Sequence, residues 1–268
     1  MIIIAVLGII IMIIGLLLNI NARKLSVTKV NSQFGIRIVY ISDLHFDTVL
    51  VNPAQIIKEI CRQKPEIIVI TGDLCSKVKY FERVLNFLDM LAYKCECDIL
   101  ITLGNHDNKI FLKENCTKEE YITALESVSP RVKVLENEHY IFKNILFGGI
   151  GDIKTNKKDY CALSLKWNEI SKKSNKKFII LTHNPDILIN LQKMDNLEIV
   201  LAGHTHGGQI KTPLNIEFRF LKKDILPKKK IFYGEHVYNG NKLYITSGIG
   251  CTFLPMRLKS EAEIVIFN

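Results

Sequence analysis

Apolar residues along this chain follow three patterns. The first 22 residues contain no Asp, Glu, Lys or Arg and are almost continuously apolar. From residue 36 onward, short runs rich in Ile, Val and Leu alternate with stretches whose apolar residues recur every three or four positions. Short runs of this kind predict buried strands, and the periodic stretches predict amphipathic helices. The alternation favours an α/β domain in which helices connect neighbouring strands.

The predicted elements of the domain are short. Buried strands are expected at residues 36–41, 66–71, 98–103, 178–182 and 198–202. Helices are expected at residues 53–63, which open with Pro and carry apolar residues at helical spacing, at 81–93, which have an apolar stripe, and at 117–128, which begin with capping-box spacing. Further strands are expected at residues 132–135, 140–147, 230–233, 243–246 and 264–267. No repeat or linker interrupts this region, which predicts a single domain.

The apolar segment at residues 1–22 is predicted to form a transmembrane helix. A helix of about 20 residues spans roughly 30 Å, the thickness of the hydrocarbon core of a bilayer. A cleaved signal peptide is the alternative, but no basic residue precedes the apolar run and no small-residue cleavage site follows it. Residues 23–35 are then a juxtamembrane linker, and residues 36–268 form the globular domain.

The distribution of charge predicts the orientation of the protein in the membrane and limits its structural class. Arg23, Lys24 and Lys29 follow the apolar segment, so the positive-inside rule predicts a single-pass cell-membrane protein with its domain on the cytoplasmic face. Seven scattered cysteines, an odd number, agree with a reducing compartment. The 36 basic and 27 acidic residues give a net charge of +9. This composition excludes a polytopic membrane protein and a disordered tail.

Polar clusters follow each of the five predicted buried strands. Ligands of open α/β sheets bind beyond the carboxyl ends of the strands, so these clusters are predicted to meet in one crevice. Each cluster alone is typical of an ordinary turn, but five in this order are not expected by chance. The clusters are Ser42-Asp43-Leu44-His45, Thr71-Gly72-Asp73, Gly104-Asn105-His106-Asp107, Thr182-His183-Asn184-Pro185 and Gly203-His204-Thr205-His206.

The order of these clusters resembles the signature of the calcineurin-like metallophosphoesterase superfamily, over residues 36–267. Segments 203–210, 243–250 and 254–257 are similar to a membrane-anchored branch that includes UDP-2,3-diacylglucosamine diphosphatases. The resemblance implies a four-layer α/β/β/α sandwich of two mixed sheets, preceded here by the transmembrane helix.

The resemblance also implies a centre of two divalent metal ions. Asp73 would bridge them, because a shared carboxylate screens two positive charges that lie close together. Mixed nitrogen and oxygen ligands suit Mn, Fe, Zn or Co without selecting among them. The other implied ligands are Asp43, His45 and His206 at the first metal, and Asn105, His183 and His204 at the second.

Three residues receive other roles from the resemblance. His106 would stabilise the transition state or protonate the leaving oxygen. Asp107 would orient His106, with an ordinary turn residue as the alternative. Arg257 would bind a substrate phosphate at the rim of the site, with a surface ion pair as the alternative. The implied nucleophile is a hydroxide that bridges the metals.

Together these features predict a membrane-anchored phosphoesterase that hydrolyses a phosphodiester or pyrophosphate, with a lipid-linked substrate as one candidate. Lysines interleaved with apolar residues at 218–232 favour contact with the lipid bilayer. A nuclease or cyclic-nucleotide phosphodiesterase is the alternative enzyme, although no nucleic-acid-binding motif accompanies the positive charge. An inactive scaffold of the same fold is the non-enzyme alternative. The oligomeric state is not predicted.

Overall fold

The computed structural model of the chain describes residues 15–113, 116–152, 160–194, 196–212, 218 and 223–268. Residues 1–14 of the predicted anchor and residues 219–222 of the predicted bilayer-contacting segment lie outside this description. Within the described residues, none of the helices combines the length and the apolar character needed to span a bilayer. Residues 15–21 are helical. The predicted single-pass membrane location is therefore contradicted, and the predicted transmembrane helix is not found among the described residues.

The secondary structure alternates strands and helices along the sequence. The strands are β1 (Leu25–Val30), β2 (Ile38–Ile41), β3 (Ile67–Thr71), β4 (Asp98–Thr102), β5 (Val132–Val134), β6 (His139–Phe142), β7 (Ile145–Ile150), β8 (Lys177–Thr182), β9 (Leu197–Ala202), β10 (Gly234–Tyr238), β11 (Asn241–Ile245) and β12 (Ala262–Phe267). The helices are α1 (Pro53–Arg62), α2 (Phe81–Cys95), α3 (Asn105–Lys113), α4 (Lys118–Ser127), α5 (Tyr160–Ser174) and the short α6 (Ile225–Lys228). Single 3-10 turns occupy Val78–Tyr80 and Pro185–Ile189.

The strands form two mixed sheets. The first sheet has the order β1-β12-β2-β3-β4-β5, and the second has the order β10-β11-β9-β8-β7-β6. Neighbours from β2 to β5 and from β7 to β9 run parallel, whereas β12 is antiparallel to β2 and β10 is antiparallel to β11. Parallel neighbours place their carboxyl ends at one edge, which brings together the loops that follow β2, β3 and β4, and likewise those after β8 and β9.

The two sheets pack face to face, and helices cover their outer faces. Ile38 and Tyr40 of β2 point into a core shared with Phe147 of the second sheet. The alternate residues of β2, Val39 and Ile41, point outward into a core formed with α1, α2 and α4. This alternation follows from the two-residue period of a strand. On the far side, Trp167 of α5 packs against the second sheet. The predicted sandwich of two mixed sheets is confirmed.

Several elements differ from the sequence prediction. Residues 25–30, inside the segment predicted as a linker, form β1 and pair with β12 in parallel register. The single strand expected at residues 140–147 is a hairpin of β6 and β7, with Lys143 at a φ of 51° in the turn. Residues 230–233 are not a strand, and β10 begins directly after them. Strand β1 pairs only with β12 near the carboxyl end of the sequence, so no pattern among neighbouring residues predicts it.

A disulfide joins Cys61 of α1 to Cys95 of α2, with the Cα atoms 5.2 Å apart. The pairing depends on the packing of these two helices, because 34 residues separate the two cysteines along the chain. It removes the support that the scattered cysteines lent to a reducing compartment.

Candidate metal centre

The predicted ligands lie in loops at the carboxyl ends of the strands, and five of the seven ligand residues have a left-handed backbone conformation. Left-handed φ values are costly for residues other than glycine and tend to occur at functional sites. The φ values are 51° at Asp43, 42° at His45, 55° at Asp73, 70° at His204 and 53° at His206. The loops are therefore shaped to direct polar side chains inward rather than to form the least strained turns.

Two glycines of the clusters make room for the carboxylates. A Cβ on Gly104 would lie 2.2 Å from Asp73 Oδ1, and a Cβ on Gly203 would lie 2.3 Å from Asp43 Oδ2. Both distances are far below van der Waals contact. Glycine is therefore required at these positions so that the loops after β4 and β9 can approach the carboxylates.

Asp43, His45 and His206 form one group of candidate ligand atoms. Their nearest donor atoms all lie within 4.8 Å of one another, and the three side chains are buried. His206 Nε2 is 3.4 Å from Asp43 Oδ1, and His45 Nε2 is 3.4 Å from Asp73 Oδ2. This group corresponds to the first predicted metal site.

His183 is at the centre of a second group. Its Nε2 atom lies 3.1 Å from His204 Nδ1, 3.2 Å from Asn105 Oδ1 and 3.3 Å from Asp73 Oδ2. Because Asp73 Oδ2 is also the oxygen nearest to His45, a single carboxylate faces both groups. All seven predicted ligands thus converge, and Asp73 occupies the position that a bridging ligand needs.

The first group has the chemistry of a cation site. Among the described residues, the buried His45 Nε2 has no hydrogen-bond partner. Burial lowers the pKa of His45 to about 4, so its imidazole is neutral near pH 7 and can offer a lone pair. A buried nitrogen of this kind next to two carboxylates is costly unless a cation is bound. The residues therefore fit a divalent metal ion.

The electrostatics of the second group also favour a bound cation. His183 Nδ1 donates to the carbonyl oxygen of Thr71 at 2.8 Å, which turns Nε2 toward the centre. Burial disfavours a charged imidazole, but the carboxylates of Asp73 and Asp43 outweigh it and raise the pKa of His183 to about 10. Burial likewise favours a neutral Asp73, yet the nearby charge of His183 holds the pKa of Asp73 well below its usual value. The carboxylates thus favour a positive charge at His183, and a bound cation would replace its proton.

Asp224 is a functional candidate that the sequence did not reveal. Its Oδ1 lies 3.3 Å from His204 Nε2, on the ring nitrogen opposite the one that faces His183. Carboxylates in this position fix the tautomer and orientation of ligating histidines. Asp224 belongs to none of the five clusters and stands just before α6, so only the folded chain places it here.

Asp107 contacts the backbone of the ligand loops, whereas its described contacts do not include the His106 ring. Its carboxylate is fully buried and links the loop after β3 to the loop after β4. The prediction that it orients His106 finds no support in these contacts, which instead make Asp107 a positioning residue for the Asp73 loop. Its donors are the backbone N–H groups of Asp73 (2.8 Å), Leu74 (3.0 Å) and Gly104 (2.9 Å) and the hydroxyl of Tyr121 (3.0 Å).

His106 lies beside the first group of ligands. One of its ring nitrogens is within 4.8 Å of donor atoms of His45 and Asp73, and its ring meets the ring of His45 edge-on at 4.9 Å. Ser76 Oγ is 2.8 Å from His106 Nδ1, and Lys109 Nζ is 3.4 Å from Nε2. Ser76 therefore holds the ring, a role that no sequence signal assigned to it.

Arg257 does not lie at the rim of the site, which corrects the sequence prediction. The side chain is fully buried, and its guanidinium donates to backbone carbonyl groups of the loop that precedes β12. Both terminal nitrogens donate to this loop, and only Nε has no hydrogen-bond partner among the described residues. The buried side chain therefore stabilises the loop and does not present its guanidinium at the surface of the site. The acceptors are the carbonyl oxygens of Ser247 (3.0 Å), Gly248 (3.2 Å), Gly250, Ser260 (3.4 Å) and Glu261 (3.2 Å).

The calcineurin-like phosphoesterase family matches residues 36–208, which contain all seven candidate ligands and His106. The chain belongs to this family. It is a metal-dependent phosphoesterase, because the family works through a dimetal centre and the required donor groups are brought together here. The match spans more than half of the chain and runs from just before β2 to the loop after β9.

The chain is also similar to two relatives in sequence and to one solved structure in fold. It is 26% identical to the uncharacterized metallophosphoesterase YkoQ of Bacillus subtilis over 238 residues, covering 85% of this chain and 82% of YkoQ. It is 25% identical to the phosphodiesterase YaeI of Escherichia coli over 244 residues, covering 87% and 81%. The NAD nucleotidase NadN of Haemophilus influenzae has the same fold, with a TM-score of 0.51 at 16% identity. That match covers 80% of this chain and only 45% of the longer NadN chain.

Proposed function

We propose that this phosphoesterase is a two-metal phosphodiesterase that hydrolyses a phosphodiester or pyrophosphate. The observation that carries the proposal is the single oxygen, Asp73 Oδ2, that lies within 3.4 Å of both His45 and His183. Asp43, His45 and His206 would hold one metal ion, and Asn105, His183 and His204 the other. The name of YaeI, a phosphodiesterase, supports the diester as the substrate class.

The metal ions supply Lewis-acid chemistry when bound: they lower the pKa of water and neutralise the charge of a phosphate. The residues of the chain provide the rest of the catalytic arrangement. Burial lowers the pKa of His106, which favours its neutral imidazole, and this ring beside the ligands would stabilise the transition state or protonate the leaving oxygen. Ser76 and the edge-on contact with His45 keep that ring in place.

A diphosphate with an acylated substituent is the narrower candidate substrate. The similarity of segments 203–210, 243–250 and 254–257 to UDP-2,3-diacylglucosamine diphosphatases supports it. The first segment carries two of the ligands, and the third follows a loop that reaches the rim of the site. A release assay for a nucleoside monophosphate from a UDP-linked diacyl sugar tests this narrower candidate separately.

The general proposal is tested with the purified chain, by measuring its metal content and its hydrolysis of bis(p-nitrophenyl) phosphate with added Mn²⁺. We expect about two metal ions per chain and metal-dependent release of p-nitrophenolate. A chain that takes up no divalent metal and releases no p-nitrophenolate would instead support the inactive scaffold. Faster hydrolysis of DNA or of a cyclic nucleotide would replace the proposal by the nuclease or cyclic-nucleotide alternative.

A further inference from the structure

A cavity of about 310 Å³ opens next to His45 and His106. Its lining combines the cation of Lys77, the ring of Tyr80 and the exposed Phe253 with polar groups of the ligand loops. The cavity can therefore accept a ligand that is charged at one end and apolar at the other. The remaining lining residues are Asp47, Thr48, Ser76, Cys251 and Thr252.

Phe253 is unusual in both exposure and backbone conformation. It is 90% exposed, more than any other large apolar side chain of the described residues, and the adjacent Leu254 is 56% exposed. Its φ of 60° lies in the left-handed region, which is rare for a bulky residue and carries strain. Strain of this kind persists only where the surrounding structure imposes it.

Gln209 imposes this conformation. Its buried side-chain amide donates to the carbonyl oxygens of Thr252 at 3.1 Å and Leu254 at 2.9 Å, and its Oε1 accepts from the Thr252 N–H at 2.7 Å. One side chain therefore holds the backbone on both sides of Phe253. Because Gln209 follows His206 by three residues, the position of Phe253 is tied to the loop that carries a candidate metal ligand.

We propose that Phe253 is a specificity-determining residue that contacts an apolar aryl or alkyl substituent of the phosphoester while the phosphate occupies the metal centre. The proposal rests on the proposed function and names the substrate class further. Lys77 lines the same cavity and complements the negative charge of the phosphate group. Covering an exposed aromatic ring with an apolar substituent removes both surfaces from water, which favours binding.

The test uses three phosphodiesters that share a p-nitrophenolate leaving group and differ in the second substituent, which is methyl, phenyl or octyl. The wild-type protein with Mn²⁺ is expected to have a higher kcat/KM for the phenyl or octyl ester than for the methyl ester. Phe253→Ala should lower that preference by about tenfold and change the methyl ester by less than about twofold. The phenyl and octyl arms separate an aromatic from an aliphatic substituent.

Two further variants provide controls. Phe253→Leu keeps an apolar side chain and should retain part of the preference. Tyr93→Ala removes an aromatic side chain that is 77% exposed on α2 and does not line the cavity, so it should leave the preference unchanged. Metal content and Tm of all variants are measured to verify that the fold and the centre are intact.

The outcomes separate this proposal from the proposed function. If the wild-type protein hydrolyses none of the three esters, the proposed function fails. If it hydrolyses them without preference, or if Phe253→Ala slows all three equally, the phosphodiesterase stands and the role of Phe253 is overturned.

Discussion

Two groups of buried polar side chains lie near each other and differ in how their charges are satisfied. The carboxylate of Glu263, on β12, accepts five hydrogen bonds within the chain. Its donors are the hydroxyls of Thr28 (2.6 Å), Tyr233 (3.0 Å), Tyr244 (3.2 Å) and Thr246 (2.8 Å) and the backbone N–H of Ser247 (3.0 Å). The two terminal nitrogens of Arg257 likewise donate to backbone carbonyl groups, although its Nε has no partner among the described residues. In the metal centre, by contrast, acceptor atoms of Asp73, Asn105 and His204 face one another around His183.

The difference separates structural from functional buried charge. A buried group whose hydrogen bonds are completed by the chain stabilises the fold by itself. A cluster of ligand atoms directed at one point is complete only with an added cation. Residue type does not make this distinction, since Arg257 was assigned to a substrate from the sequence and belongs to the structural group. The following predictions test the comparison, beginning with the largest effect on hydrolysis.

Asp73→Asn removes the charge that both ligand groups share. We expect hydrolysis to fall on the order of 1,000-fold or more and metal content to fall with it, because two close cations would lose their common carboxylate. Metal analysis and initial rates measure both. Asp89→Asn, an exposed change on α2, is the matched control. Full metal content and full activity in Asp73→Asn would refute the shared role.

His106→Ala removes the proposed donor but no proposed ligand. The kcat should fall by about 100- to 10,000-fold with metal content nearly unchanged, since the ring acts only on the transition state. His139→Ala, an exposed histidine outside the site, serves as the control. Parallel loss of metal would instead make His106 a ligand, as its proximity to His45 and Asp73 would allow.

Asp224→Asn weakens the support of one ligand. Loss of the carboxylate at His204 Nε2 should reduce metal affinity by about 10- to 100-fold, and saturating metal should restore hydrolysis. Titration of activity against Mn²⁺ concentration measures the shift. A fall in activity that excess metal does not correct would give Asp224 a different role.

Arg257→Met is expected to have the smallest effect on hydrolysis and a large one on stability. Leaving several buried carbonyl groups without a donor should lower the free energy of unfolding by about 3 kcal/mol. At temperatures where the variant is folded, kcat/KM should stay within about twofold of the wild-type value. Denaturant unfolding and initial rates provide the measurements. An unchanged stability together with a large loss of activity would instead support a role for Arg257 in substrate binding.

Much of the site could be predicted from the sequence, because its residues follow strand ends. A parallel sheet places those ends at one edge, so local clusters such as Asp43-Leu44-His45 and His204-Thr205-His206 were sufficient to indicate convergence. The helix at residues 53–62 was equally predictable from its proline and its apolar stripe. The apolar composition of residues 1–22 predicted a membrane-spanning helix, which is not found among the described residues.

The sequence by itself determined the residue types of the metal centre, the order of the strands that carry them and the α/β character of the domain. These depend on patterns within a few residues. Only the tertiary structure decided that Asp224 supports His204, that Ser76 holds His106, that Arg257 is buried and that Gln209 positions Phe253. The contacts of Asp224, Ser76 and Gln209 join residues 20 to 45 positions apart, and Arg257 is buried by the fold of its own loop. Packing in three dimensions chooses these partners, so the pattern of neighbouring residues does not predict them.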